Sequence, residues 1–292
     1  MKYFDLHCDT LPIVTEKRNS LMDSGMMVDL TDHPFEAYTQ VLAVFSDPSL
    51  SADDAYDRFW QCRRHLDILS LPDSFSCILS VENGSLIGNR IERIDRLAEA
   101  GVRLMNPVWA GDNLIGGAWD TRHGLTAFGR EVIDRAYQTG IIPDLSHASD
   151  EMAKEILQVA SRKGMPVIAS HSCARTVYLH GRNLPDDYFR EIVQCGGIVG
   201  LSLYPHHLTD ENCTMETIRH HLEHYLSLGG EDHIAIGADW DGIECTPEGV
   251  ASICDIPALA DYLRNCGWAD RLLEKLFYQN AADFFARQNI PF

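Results

Sequence analysis

Eight short apolar, β-prone runs, each followed by a longer stretch of mixed character, constrain the fold of this chain more than any other feature. The runs are "KYFDLHCD" (2–9), "QVLAVFS" (40–46), "FSCILSVEN" (75–83), "GVRLMNPVW" (101–109), "GIIPDLSHAS" (140–149), "MPVIASHS" (165–172), "GGIVGLSLYP" (196–205) and "HIAIGADWDG" (233–242). The segments between them have helical periodicity, as in "SADDAYDRFWQCRRHLDILSL". "AFGREVIDRAYQTG" places Phe128, Val132, Ile133 and Ala136 on one face and ends at Gly140, a natural C-cap. "SDEMAKEILQVASRKG" repeats the pattern, with Ser149 as its N-cap and Gly164 as its terminator. Near-continuous apolar strands alternating with helices predict a parallel sheet covered by helices. Eight such units in 292 residues favour a closed TIM (β/α)8 barrel over an open doubly wound sheet. No linker or charge block divides the chain, so one domain spanning 1–292 is expected.

Active sites of such barrels form at the C-terminal ends of the strands, and the unusual polar residues fall there. His7 and Asp9 close the first run, Glu82 the third, His147 the fifth, His171 the sixth, and Asp239 with Asp241 the eighth. His7 and Asp9, at i and i+2 of a strand, point the same way, with Leu6 and Cys8 on the other side. Imidazoles and carboxylates converging from separate strands suit Zn²⁺ and similar divalent ions. Five donors exceed the needs of one tetrahedral ion with an open position, whereas two ions sharing a carboxylate use them all. Such a pair activates a bridging hydroxide and polarises a carbonyl, which is hydrolytic chemistry. The barrel is thus expected to be of the metal-dependent hydrolase type.

The formal net charge of −19 argues against a nucleic-acid partner, because phosphate binding needs clustered Lys and Arg. Nine cysteines without a CxxC pair read as reduced thiols in a cytoplasmic protein, with Cys8 and Cys173 as packing residues. The opening residues lack the pattern of a signal peptide, and no run is long enough for a membrane helix.

"DLHCDT", "VENG", "DLSHAS", "SHSCARTVYLHGRNLPDD" and "IGADWDG", in that order along nearly the whole chain, resemble the signature segments of the renal (membrane) dipeptidase family, peptidase family M19. "GWADRLLEKLFYQNAADFF" near the C-terminus extends the resemblance. It implies a binuclear zinc site on a TIM barrel, two Zn²⁺ per chain or other divalent metals in their place, and hydrolysis of small dipeptides. His7 and Asp9 would bind one ion, His147 and His171 the other, and Glu82 would bridge them. Arg182 would pair with the terminal carboxylate of the substrate; a guanidinium matches a carboxylate bidentately, as Lys cannot. Asp239 would orient the hydroxide, take its proton and pass it to the leaving amine. Homodimers occur among such relatives.

One position departs from the pattern. The family carries a histidine at the end of the fourth strand, credited with holding the scissile carbonyl; here the aligned residue is Trp109. Its indole offers one N–H and no positive charge. Either Trp109, Asn113 or the second metal takes over that role, or the substrate is another small amide or a lactone. Tyr204 is a further pocket candidate. Adjacent strand positions point oppositely, so at most one of His206 and His207 enters the pocket, and both are left out of the metal site; His220 with His224 falls on an outer helix face. The competing reading for Arg182 is a surface ion pair with Asp186 or Asp187.

Overall fold

The computed structural model describes residues 1–292. Its eight parallel strands are β1 (Lys2–Cys8), β2 (Ala37–Phe45), β3 (Phe75–Glu82), β4 (Val102–Asn106), β5 (Ile142–Pro143), β6 (Ile168–Ala169), β7 (Ile198–Leu201) and β8 (Ile234–Ile236). They run in the order β5-β4-β3-β2-β1-β8-β7-β6. The remaining seam, between β5 and β6, is joined by one parallel bridge, Asp144 to Ile168, and by the Leu145 N–H donating to the Ile168 carbonyl at 2.8 Å. The sheet is therefore a nearly closed barrel with helices around it. Pro143 and Pro166, which lack a backbone donor, accompany the two shortest strands.

The helix Asp150–Lys163 begins where Ser149 accepts the Met152 N–H at 3.0 Å and ends at Gly164, at φ 64°. The helix Ala127–Thr139 ends at Gly140, at φ 80°. Val132, Ile133 and Ala136 are buried as the periodicity predicts, and Phe128 is partly buried.

Every strand sends apolar side chains into the lower barrel: Phe4 and Leu6 from β1, then Val41, Ile78, Leu104, Ile142, Ile168, Ile198 and Ala235. The C-terminal helix Asn280–Arg287 plugs this end with Ala281, Phe284 and Phe285, the last stacked on Phe4 at 5.3 Å. With the floor sealed by apolar packing, the polar residues of the strands collect at the opposite mouth. No helix is long and apolar enough to cross a membrane.

The first strand departs from simple alternation. Asp5 pairs with Gln40 but Cys8 pairs with Leu42, so three steps on β1 match two on β2. This bulge lets Leu6 join the interior apolar cluster while the next residue, His7, enters the site. Cys8 packs in the outer core as expected, but Leu6 does not turn to that side. The Asp5 carboxylate holds the bulge, accepting the backbone N–H of His7 at 2.9 Å and that of Ala238 at 3.2 Å.

Candidate metal centre

Glu82 lies between two groups of donors and shows each a different oxygen. Its Oε2 is 3.5 Å from His7 Nε2, whereas Oε1 is 2.8 Å from His147 Nε2 and 3.6 Å from His171 Nε2. On the His7 side, Asp9 Oδ2 and Asp239 Oδ1 approach the same Nε2 at 3.6 and 3.8 Å. On the other side, His147 Nε2 faces His171 Nε2 at 2.9 Å. The strand ends thus bring all five expected ligands and Asp239 together.

Backbone strain and close packing support this cluster. His147 and Asp239 have φ of 73° and 68°, left-handed values that side chains other than glycine seldom adopt and that concentrate at functional sites. Gly242 leaves room for two carboxylates, since a Cβ there would lie 2.3 Å from Asp9 Oδ2 and 2.6 Å from Asp239 Oδ1. Asp241 has a different task. Its oxygens accept from Thr10 Oγ1 at 2.5 Å and from the Met27 N–H at 2.7 Å, tying the long loop after the first helix to the turn that follows β8.

The electrostatics of these buried groups conflict unless a cation joins them. Burial pushes Asp9 up to about 8, and the Glu82 charge adds to this. Burial, only partly offset by His7, pushes Asp239 up to about 6. Burial also raises Glu82, but the facing His7 and His147 overcome it and hold the carboxyl well below its usual range. Burial with the Arg182 charge brings His147 down to about 4, and burial with the His7 charge lowers His171. His7 Nε2 and Asp9 Oδ1 are buried without a hydrogen-bond partner. Buried nitrogen and oxygen donors left without a hydrogen-bond partner in one cluster fit divalent cations, which would satisfy them.

The cavity above the cluster has a volume of about 430 Å³ and is lined by Phe45, Trp109, Trp119, Arg182, Tyr204 and His207 among others. Arg182 is buried; its guanidinium donates to Ser172 Oγ at 3.3 Å and to the His171 carbonyl at 3.1 Å. Its Nε has no partner, and it forms no ion pair. The alternative partners are engaged elsewhere, Asp186 with His224 at 2.8 Å and Asp187 with Arg190 at 3.1 Å. Tyr204 donates its hydroxyl to Glu244 Oε1 at 2.6 Å at the cavity rim.

Trp109 packs edge-on against Phe45, with ring centroids 5.0 Å apart. Its backbone carbonyl lies 3.1 Å from His147 Nδ1 and so orients that ring. Asn113 cannot supply the donor missing from position 109. Its amide nitrogen is taken by the Pro107 carbonyl at 2.8 Å and Asn83 Oδ1 at 3.2 Å.

At most one of His206 and His207 was expected in the pocket, and it is His207. It lies on a helical turn, Pro205–Leu208, rather than on an extension of β7, and the strand rule for adjacent residues does not apply there. His207 lines the cavity while His206 is exposed. Pro205 at the first helical position was the available signal. His220 and His224 pair with Glu216 and Asp186 away from the centre, as expected of an outer helix.

The sequence profile of the membrane dipeptidase family (peptidase family M19) matches residues 58–287. The chain belongs to that family. Within it, Dipeptidase 3 of Mus musculus is 30% identical over 292 residues, covering 94% of this chain and 53% of the mouse protein. The chain thus spans about half the length of the curated relatives it matches. The fold agrees with that of a Rhodobacter sphaeroides metallopeptidase solved with a phosphinate mimic of the dipeptide L-Ala-D-Ala, at TM-score 0.86 and 22% identity over 99% of both chains. The probable dipeptidase PvdM of Pseudomonas aeruginosa is superimposable at TM-score 0.87 and 16% identity, covering 99% of this chain and 95% of that one. Membership in this M19 family implies a metal cofactor, and the cluster around Glu82 has the donors to hold one.

Proposed function

We propose that this chain is a dipeptidase whose centre holds two zinc ions, with His7 and Asp9 on one, His147 and His171 on the other, and Glu82 between them. Imidazole nitrogens mixed with carboxylates suit zinc, and other divalent ions accept the same set. Bound there, the ions would polarise the scissile carbonyl and supply an activated water near neutral pH.

The chain's own side chains do the rest. Arg182 receives the terminal carboxylate of the substrate and fixes its register in the cavity. Asp239 Oδ1 accepts the proton of the attacking water and delivers it to the leaving amine. Trp109 and Tyr204 form walls around a space sized for two residues. The observation that carries this reading is the buried guanidinium of Arg182, which has no carboxylate partner and opens on the same cavity as the divided carboxylate of Glu82. A charged receptor at that site selects a short substrate ending in a free carboxylate.

A second reading, a hydrolase of another small amide or of a lactone, draws on Trp109, since Asn113 is not free to replace the missing donor. Metal-loaded protein assayed on dipeptides, N-acyl amino acids and lactones separates the two. The dipeptidase reading expects dipeptides, including some with a C-terminal D-residue, to have the highest kcat/KM. Turnover of lactones alone contradicts it.

A further inference from the structure

The serine preceding His171 faces two imidazoles at once. Ser170 Oγ lies 2.7 Å from His171 Nδ1 and 3.4 Å from His7 Nδ1. These rings belong to opposite halves of the centre. Ser170 is fully buried, one layer above the apolar ring to which Ile168 belongs. Two glycines bring the strands close enough for this: a Cβ on Gly200 would lie 2.0 Å, and one on Gly237 1.7 Å, from the Ser170 carbonyl oxygen.

Asp144 completes the arrangement. Its Oδ1 accepts the backbone N–H of Ser146 at 2.9 Å and that of Ser170 at 3.0 Å. Its Oδ2 is buried and lacks a donor. Burial raises the Asp144 carboxyl, and the Ser170 side chain is the first of the groups that partly offset it.

Counting protons connects these contacts. An imidazole that offers Nε2 to a cation carries its hydrogen on Nδ1, and the acceptor of that hydrogen fixes tautomer and ring orientation. With both Nε2 atoms aimed at ions, His7 and His171 both donate toward Ser170 Oγ. A hydroxyl has two lone pairs and one proton, so it accepts from both rings only when its own proton points elsewhere. The unpartnered Asp144 Oδ2 is the acceptor available for it.

We propose that Ser170, oriented by Asp144, is a positioning residue that sets the Nδ1–H tautomer of His7 and His171 together and so links the two halves of the metal centre. His147 is independent of it, since its Nδ1 has the Trp109 carbonyl. The inference rests on the two-ion reading above and adds a consequence to it. With either imidazole held as its Nδ1–H tautomer, the Ser170 hydroxyl would turn toward Asp144 and favour the same tautomer in the other ring.

The test is zinc titration of chelator-stripped protein against a chromophoric competitor. The wild type, Ser170→Ala, Asp144→Asn and Ser80→Ala are compared; Ser80 is another buried serine, with no partner for its hydroxyl. Loss of a hydrogen-bond partner behind a ligating imidazole costs roughly 10- to 100-fold in metal affinity. Ser170→Ala is expected to weaken uptake of both ions by that factor. Asp144→Asn should do the same, because its amide donates where the carboxylate accepted. Ser80→Ala should match the wild type. Wild-type constants in Ser170→Ala, or weakening of only one ion, would overturn the inference while leaving the two-ion reading intact. A wild type that takes up no ion defeats that reading instead. Should Ser170→Ala not fold, nitrogen-15 NMR of the zinc-loaded wild type decides: His7 and His171 must both carry the proton on Nδ1, and a proton on Nε2 of either contradicts the proposal.

Discussion

Gly242 and Asp9 are so close that a Cβ on the glycine would lie 2.3 Å from Asp9 Oδ2. The same Cβ would stand 2.6 Å from Asp239 Oδ1, so one hydrogen atom in place of a methyl keeps two carboxylates in register. Gly242→Ala is therefore expected to leave the fold intact and damage the centre. Misplacing reacting groups by about 1 Å costs on the order of 10²-fold in rate, and kcat/KM should fall by at least that much, with weaker metal retention on dialysis. An unchanged circular dichroism spectrum alongside that loss is the expected pair of results. Full activity would show that Asp9 and Asp239 have slack the packing does not suggest.

Arg182 allows a test by substrate rather than by metal. Because its guanidinium is buried and forms no ion pair, Arg182→Met should cost roughly 2–5 kcal/mol of binding to a carboxylate substrate. The measured signature is a kcat/KM reduced roughly 30-fold or more on free dipeptides. C-terminally amidated dipeptides, poor for the wild type, should lose little further. Equal losses on both substrates would assign Arg182 to the scaffold.

His221 ties the loop after His171 to the helical turn that carries His207. Its Nδ1 accepts the Ala174 N–H at 3.1 Å and its Nε2 donates to the Leu208 carbonyl at 2.9 Å. Burial brings its pKa down to about 4, against ~6.5 in an unfolded chain. Between those values the unfolded chain binds the extra proton. The contribution is full above pH ~6.5, declines as pH falls and is lost below about 4, worth roughly 3 kcal/mol in all. His221→Gln keeps an acceptor and a donor but does not titrate. Its Tm should fall less than that of the wild type between pH 7 and 4, and parallel profiles would contradict the assignment.

How much of this was legible in the sequence follows from what each residue needed. The helix stops at Gly140 and Gly164 and the cap at Ser149 depend on local chemistry and are readable from neighbours in the chain. His7 and Asp9 were legible as a pair because strand alternation is local, and the strand-end rule collected Glu82, His147, His171 and Asp239. The bulge in β1 was not legible, because it depends on the register against β2 and on Asp5 binding backbone across to Ala238. Which of His206 and His207 enters the pocket was not legible, because strand alternation was extended into a turn that is helical. Ser170 and Asp144 carry no motif; their roles arise only when β5, β6 and β1 are brought together. The fold and the clustered imidazoles and carboxylates were written in patterns, whereas the contacts behind them were written in packing.

The central claim is that the cluster around Glu82 holds two ions and that Asp239 moves the proton without being needed to keep them. Metal content and dipeptide turnover, measured together on the wild type and Asp239→Asn, test it most directly. The account predicts two divalent ions per chain in both proteins, dipeptide hydrolysis by the wild type, and a drop of about 10²–10⁴-fold in kcat for Asp239→Asn, the usual span for loss of a general acid–base group. A metal-loaded wild type inert to every dipeptide, or an Asp239→Asn enzyme that turns over normally, would contradict it.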